Sequence, residues 1–497
     1  MQNKFRNISR LIAVFILIPV YSFAITLNLE ERVIEHTLKN GLKVLMMERH
    51  QSATVTAYIR MNVGSVDETT GNTGIAHMLE HMLFKGTKTL GTMDYENEKP
   101  ILDEIDKVAA ELDAERRKGV RIDKSRIRQL QKRLKELQAE HKPFVIPDEF
   151  SQLYAKNGGV GHNAGTGNDG TTYMIHLPAN KLELWAAIES DRMREPVLRE
   201  FYAERDVVME ERRMRIENSA GGKLYEQFIS AAFTAHPYGV PIIGWSSDIK
   251  NLSKAETKKF LKTYYSPNNA IIGIVGDINP DEVIKLVEKY FGDIPSQPQP
   301  SPVLTIEPEQ IGEKRVEVVH DSEPELLMGY HKPTLPDHED YVFDVMDSIL
   351  SSGRTSRLYK SIVLEKQIAT DVGTFSSPGS LYPNMFVFSG TPRYPHTVEE
   401  LEQAIEEEIE KLKTQPVTKK ELQKVINQME AGLVRGLKSN SGMASKLIYY
   451  EAIAGDWKYF LTHIDKIKQI TTEDIMKTTR KYLVSQNKTI AYIKKKQ

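Results

Sequence analysis

The chain of 497 residues contains no cysteine. That absence rules out disulfides, thiolate nucleophiles and cysteine-bound metals, so any metal site must be built from histidine and carboxylates. A charge imbalance is missing too. Lys+Arg number 66 against Asp+Glu 68, and the net charge of −2 gives no electrostatic case for nucleic acid. Histidine is sparse, at 13, so two close together carry information. What remains is ordinary for a soluble globular protein: 40% hydrophobic and 27% charged residues, in a chain too long for one compact domain.

The first residues, MQNKFRNISRLIAVFILIPVYSFA, have the three parts of an export signal. Lys4, Arg6 and Arg10 form a basic front, Leu11 to Tyr21 an apolar run, and Ser22-Phe23-Ala24 a small-residue cleavage site. The run is short of the ~20 residues needed to span a bilayer. Cleavage after Ala24 is therefore expected, with no membrane span in the mature chain and a periplasmic or secreted location.

Further along, Gly41 to Met47 and Ala53 to Val63 read as strands, GIAHMLEHMLF as a helix, and 182–217 as helical with a break near Pro196. AIIGIVGDINP, near residue 270, reads as a buried strand closing on a turn. Pro295, Pro298, Pro300 and Pro302 then mark an extended linker, placed at 296–312. It divides an N-terminal domain, 25–295, from a C-terminal one, 313–497. The order helix, Tyr-containing turn, Asn, strand occurs in 251–277 and again in 468–495, with Tyr265 matching Tyr482 or its neighbour and Asn269 matching Asn487. This suggests a duplicated α+β domain. Between about 100 and 143, Ile101, Ile105, Val108 and Leu112, then Ile127, Leu130, Leu134 and Leu137, recur at threes and fours among dense charge. That spacing predicts an antiparallel helical hairpin inserted into the first domain, broken at Gly119.

The strongest chemical signal is GIAHMLEHMLFKGT, 74–87. On a helix His77 and His81, four apart, share a face, with Glu80 projecting beside them. Two imidazoles can hold one zinc ion while a carboxylate takes a proton from water, and H-x-x-E-H is a zinc-peptidase signature. A third ligand is needed. AERDVVMEERRMRIE, 203–217, offers Glu204 with Glu211, or Glu210 with Glu217, at the same two-turn spacing, and spacing does not choose between them.

HMLEH, GGVGHNAGTGNDGTTYMIHLP, ERDVVMEE, AHPYGVPIIG and YYSPNNAIIGIVGD together resemble the pitrilysin/insulinase family of zinc metallopeptidases, in its two-domain, processing-peptidase-like bacterial branch. The likeness is specific over about 30–295 and weaker over 300–497. It implies two homologous domains, each a mixed sheet covered by helices, closing as a clam-like chamber. It implies one zinc per chain bound by His77, His81 and Glu211, with Glu80 as catalytic base and Glu204 supporting the ligands. It also implies that the strand carrying Asn163 and Ala164 pairs with an extended peptide substrate. His162, His176, His236 and His331 gain no role from it.

One departure is expected to matter. Active single-type members carry an Arg and a Tyr in a second-domain segment resembling R-E-K-x-x-A-Y, where SIVLEKQIATDVGTF places Leu364 and Thr370. The expected protein is thus an exported zinc endopeptidase acting on peptides or unfolded segments. It is a catalytic subunit completed by a homologous second subunit that supplies Arg and Tyr, or else a homodimer. The alternatives are a non-catalytic or weakly active assembly or docking subunit, and a module that docks an envelope partner through the helical hairpin with peptidase activity secondary.

Overall fold

A computed structural model describes residues 29–496; the expected export signal and its cleavage site lie outside them. The strands are β1 (Val33–Thr37), β2 (Lys43–Glu48), β3 (Thr54–Met61), β4 (Val160–Thr166), β5 (Thr171–Pro178) and β6 (Ala270–Gly276) in the first half. The second half holds β7 (Lys314–His320), β8 (Leu326–Lys332), β9 (Ala369–Ser377), β10 (Asn384–Pro392) and β11 (Lys488–Lys495). The helices that concern the site and the joining of the halves are α1 (Ile75–Met82), α2 (Tyr95–Arg116), α3 (Lys124–His141), α4 (Phe201–Arg212), α5 (Ala220–Ala232) and α6 (Asn440–Ala454).

Each half builds one mixed sheet. The first runs β1-β2-β6-β3-β5-β4 and the second β7-β11-β8-β10-β9. Without β1 the two orders coincide, strand for strand, and in each the one parallel pair among the described residues joins the first strand to the last: β2 with β6, β7 with β11. The duplication read from the sequence is therefore a duplication of topology. Asn269 Nδ2 donates to the Tyr264 carbonyl at 2.9 Å, and Asn487 Nδ2 donates to the Tyr482 carbonyl at 2.9 Å. The matched pair is thus Tyr264 with Tyr482, which leaves Tyr265 opposite Leu483.

The halves are fastened by an exchange of helices. α5, from the first half, packs on β7 and β11, whereas α6, from the second, packs on β3 and β6. Ile448 and Leu447 of α6 join Leu45, Met47 and Ile271 in one buried cluster, and Phe228 and Leu224 of α5 join Met385 and Ile493 in another. Glycine makes both approaches possible. A Cβ on Gly273 of β6 would lie 2.7 Å from Ile448, and one on Gly329 of β8 would lie 2.6 Å from Phe228. Backbone-close packing of this kind is available only where the strand residue has no side chain.

The predicted hairpin is α2 and α3, and it starts earlier than the sequence suggested. Asp94 caps α2 by accepting from the Asn97 amide, so the helix runs through Pro100. Ile105, Val108 and Leu112 meet Leu130, Leu134 and Leu137 in a buried seam continuous with the first core. A buried ion cluster ties the hairpin to the segment behind α1. The Glu98 carboxylate accepts from His141 Nε2 and from Arg199 Nε, both at 2.7 Å. Arg199 also donates to the carbonyls of Lys85, Thr87 and Leu90. Arg199→Met is expected to strand that buried charge and cost about 3–5 kcal/mol of stability, read as a lower denaturant midpoint; a midpoint unchanged from wild type would refute this role.

Candidate metal centre and its pocket

α1 is apolar on nearly every side, so the helix sits inside the fold and carries its polar residues with it. Ile75, Ala76, Met78, Leu79 and Met82 are buried, as are His77 and Glu80, with His81 half-buried. Its start is fixed by Glu68, whose carboxylate accepts from the backbone amides of Gly74 at 2.7 Å and Ala76 at 2.9 Å. The four-residue spacing puts the two imidazoles side by side, edge to face, with ring centroids 4.7 Å apart.

α4 packs against α1 and delivers the third group. Donor atoms of His77, His81 and Glu211 all lie within 4.8 Å of one another, so the three can hold a metal ion. Glu211 Oε2 is 3.3 Å from His81 Nε2 and 3.7 Å from His77 Nε2. The rival carboxylates point elsewhere: Glu210 is exposed and pairs with Arg213, and Glu217 lies 3.7 Å from Arg212. Glu204, two turns before Glu211, accepts from His81 Nδ1 at 2.8 Å and pairs with Lys85 at 2.6 Å. With Nδ1–H committed to Glu204, Nε2 is the nitrogen that faces Glu211, and loss of its proton to a bound metal would leave the tautomer a metal ligand needs. The donor set therefore fits a zinc ion: two nitrogens and one carboxylate, with one imidazole already oriented.

Electrostatics follow burial and pairing. Burial, with the neighbouring His81, pushes His77 down to about 4 and keeps it a neutral imidazole. Burial also disfavours charging His81, but the Glu204 and Glu211 carboxylates outweigh it and raise His81 to about 9. The hydrogen bond from His81 lowers the Glu211 carboxyl. Glu80 moves the other way: burial raises it, against a 2.5 Å hydrogen bond donated by Thr166 Oγ1.

These groups open on a cavity of about 520 Å³. Asn163 and Ala164 line it, on β4, which is the edge strand of the first sheet and, among the described residues, has no strand on its outer side. His162 faces away, its ring 4.7 Å from Tyr154 and 5.1 Å from Phe84. His176, His236 and His331 belong to no candidate metal group among the described residues. Sequence reading missed several lining residues. Arg215 follows Glu211 by one turn, in a π-helical segment Arg213–Glu217, and places Nε 3.0 Å from Glu211 Oε1. Val240 to Ile243 form an aliphatic wall, and Tyr225 bonds across to Ser377 of the second half at 2.5 Å. The four-residue spacing from Glu211 to Arg215 was a usable signal, and the wall lies within the motif AHPYGVPIIG, which was given no lining role; Tyr225 had no signal. Leu364 and Thr370 do not line the cavity, and the second half contributes Pro378 to it.

A duplicated α+β fold that aims an H-x-x-E-H helix at the edge of its own sheet is the architecture of a two-domain peptidase. The chain belongs to peptidase family M16: the model described as Insulinase (Peptidase family M16) matches residues 43–117, and that described as Peptidase M16 inactive domain matches 251–429. It is 28% identical over 470 residues to the zinc protease PqqE of Helicobacter pylori, covering 92% of each chain. An uncharacterized zinc protease, YmxG of Bacillus subtilis, is 22% identical over 440 residues, or 88% of this chain and 93% of that one. Among solved structures, a protease from Helicobacter pylori superposes with a TM-score of 0.78 at 27% identity, covering 93% of this chain and 99% of that one. The periplasmic protease PqqL from Escherichia coli shares the fold, with a TM-score of 0.69 at 16% identity. There 93% of this chain covers only 48% of the other.

Proposed function

We propose that this protein is a zinc-dependent endopeptidase of the bacterial envelope that cleaves peptides or unfolded polypeptide segments. The observation that carries the reading is the convergence of His77, His81 and Glu211 beside Glu80, in a cavity bordered by the unpaired edge of β4. The names of the relatives, zinc proteases from two organisms, support the metal. One zinc per chain, held by these three residues, would supply Lewis acidity to the peptide carbonyl and to water. Glu80 then takes the proton of the attacking water and hands it to the departing amine. Its raised pKa suits that exchange, because a base poised nearer neutrality both accepts and returns a proton. The free N–H and C=O groups of β4 pair with an extended peptide, and the Asn163 side chain holds it beside the bond to be cut. The envelope location rests on the export-signal pattern of residues 4–24. Purified chain loaded with zinc is expected to cleave an unfolded polypeptide internally and to stop when a chelator removes the metal; cleavage that persists without metal would sink the proposal.

Glu204 serves by orienting His81. Glu204→Gln is expected to weaken zinc binding by about 10–100-fold, measured by competition with a chromophoric chelator. Unchanged affinity would reduce Glu204 to a partner of Lys85.

A pairing arrangement also follows. Leu364 is exposed and Thr370 bonds only to its neighbour Asp371 and the Thr391 carbonyl, so the Arg and Tyr of the self-sufficient pattern have no counterpart at those positions. The PqqL chain is long enough for two units like this one. We read the chain as the metal-bearing subunit of a pair, completed by a homologous subunit that carries Arg and Tyr, or by a second copy. The same observation favours a second reading, a weakly active assembly subunit. Peptide cleavage by the chain alone as fast as with an added homologous subunit would overturn pairing and leave the zinc assignment intact.

A further inference from the structure

The helical hairpin encloses a second cavity that the peptidase reading does not use. It holds about 290 Å³ between α3, the first turn of α4 and Lys254. Leu102 and Ile105 of α2 and Phe201 of α4, all buried, supply its apolar surface. Lys135 and Lys142 line it as well, but both are exposed, and neither ammonium has an ion pair or hydrogen bond among the described residues. The other charged groups in the wall are already engaged. Lys254 lies 3.0 Å from Asp106, Glu200 lies 3.7 Å from Lys85, and His141 is committed to Glu98. The cavity thus pairs an apolar recess with two cations that lack acceptors.

We propose that this cavity binds an alkyl monocarboxylate, with the hydrocarbon chain against Leu102, Ile105 and Phe201 and the carboxylate between Lys135 and Lys142. The volume selects the size. Ligand pockets usually run from roughly 300 to 1,000 Å³, so this one admits a single medium-length chain and excludes a two-tailed lipid. The charge selects the head group, since a carboxylate offers both ammonium groups an ionised acceptor, whereas a neutral alcohol offers one uncharged oxygen and a weaker hydrogen bond. An occupant would touch Phe201, Tyr202 and Ala203, the turn that leads directly into Glu204 and Glu211. It would therefore stiffen the joint between the hairpin and the helix that carries those two carboxylates, and stabilise the folded chain by linkage.

Titration calorimetry of the full chain with octanoate tests the site. Saturable binding is expected, with octanol at least about tenfold weaker. The double substitution Lys135→Gln with Lys142→Gln, at two exposed positions, is expected to weaken octanoate by about tenfold or more. Ala139→Trp, on the exposed rim, is expected to abolish binding while the unfolding temperature without ligand stays as in wild type. Absence of saturable binding, equal affinity for octanol, or unchanged octanoate affinity in both variants would each overturn the proposal.

Discussion

Glu80→Gln is expected to retain its zinc and to lose about 10²–10⁴-fold in kcat. The substitution keeps the shape of the side chain, and its amide oxygen can still accept from Thr166 Oγ1, which now donates to the carboxylate at 2.5 Å. Glu80 is not among the three grouped donors, so metal content should not change. What disappears is the ability to accept and return a proton. The loss should fall on kcat rather than KM, since peptide binding is assigned to the edge of β4 and not to this carboxylate. Metal content per chain and steady-state kinetics on one peptide decide the matter together. Loss of zinc along with activity would recast Glu80 as a ligand, and activity within about tenfold of wild type would remove it as the base.

How far the sequence could carry the argument depended on the range of each interaction. The i, i+4 pair His77 and His81 was legible because helical geometry alone sets it. The seam of the hairpin was legible for the same reason, although Pro100 obscured the helix start at Tyr95. Duplication showed in one short unit, Tyr264 to Asn269 against Tyr482 to Asn487, and that unit stood for a whole matching strand order. The exchange of α5 and α6 between the halves was not legible. It joins segments hundreds of residues apart, and its local marks, Gly273 and Gly329, look like any glycine in a strand. Arg199 was equally silent. Its value lies in four partners from Lys85 to Glu98, all distant in sequence, and nothing beside it in the chain predicts them.

The third metal donor sits between these extremes, and it supports the sharpest contrast between neighbouring residues. Periodicity offered Glu210 and Glu211 equally; resemblance selected Glu211; the fold turns Glu211 toward both imidazoles and Glu210 outward to Arg213. Glu211→Gln is accordingly expected to weaken zinc binding by more than about 100-fold, since even the residues that only orient ligands are worth 10–100-fold. Glu210→Gln should leave affinity unchanged, because it removes one exposed ion pair of a kind worth about 0–1 kcal/mol. The two variants remove the same charge from adjacent positions of one helix, so any effect of net charge on the metal is shared. The difference between them isolates direct ligation. Arg215 sharpens the comparison: in Glu211→Gln its guanidinium, 3.0 Å from Oε1, loses its carboxylate partner and faces His77 and His81 instead. That adds repulsion to the lost donor and deepens the effect. Equal zinc affinity in the two variants would move the third ligand off α4 altogether, whereas a loss confined to Glu211→Gln leaves His77, His81 and Glu211 as the donor set.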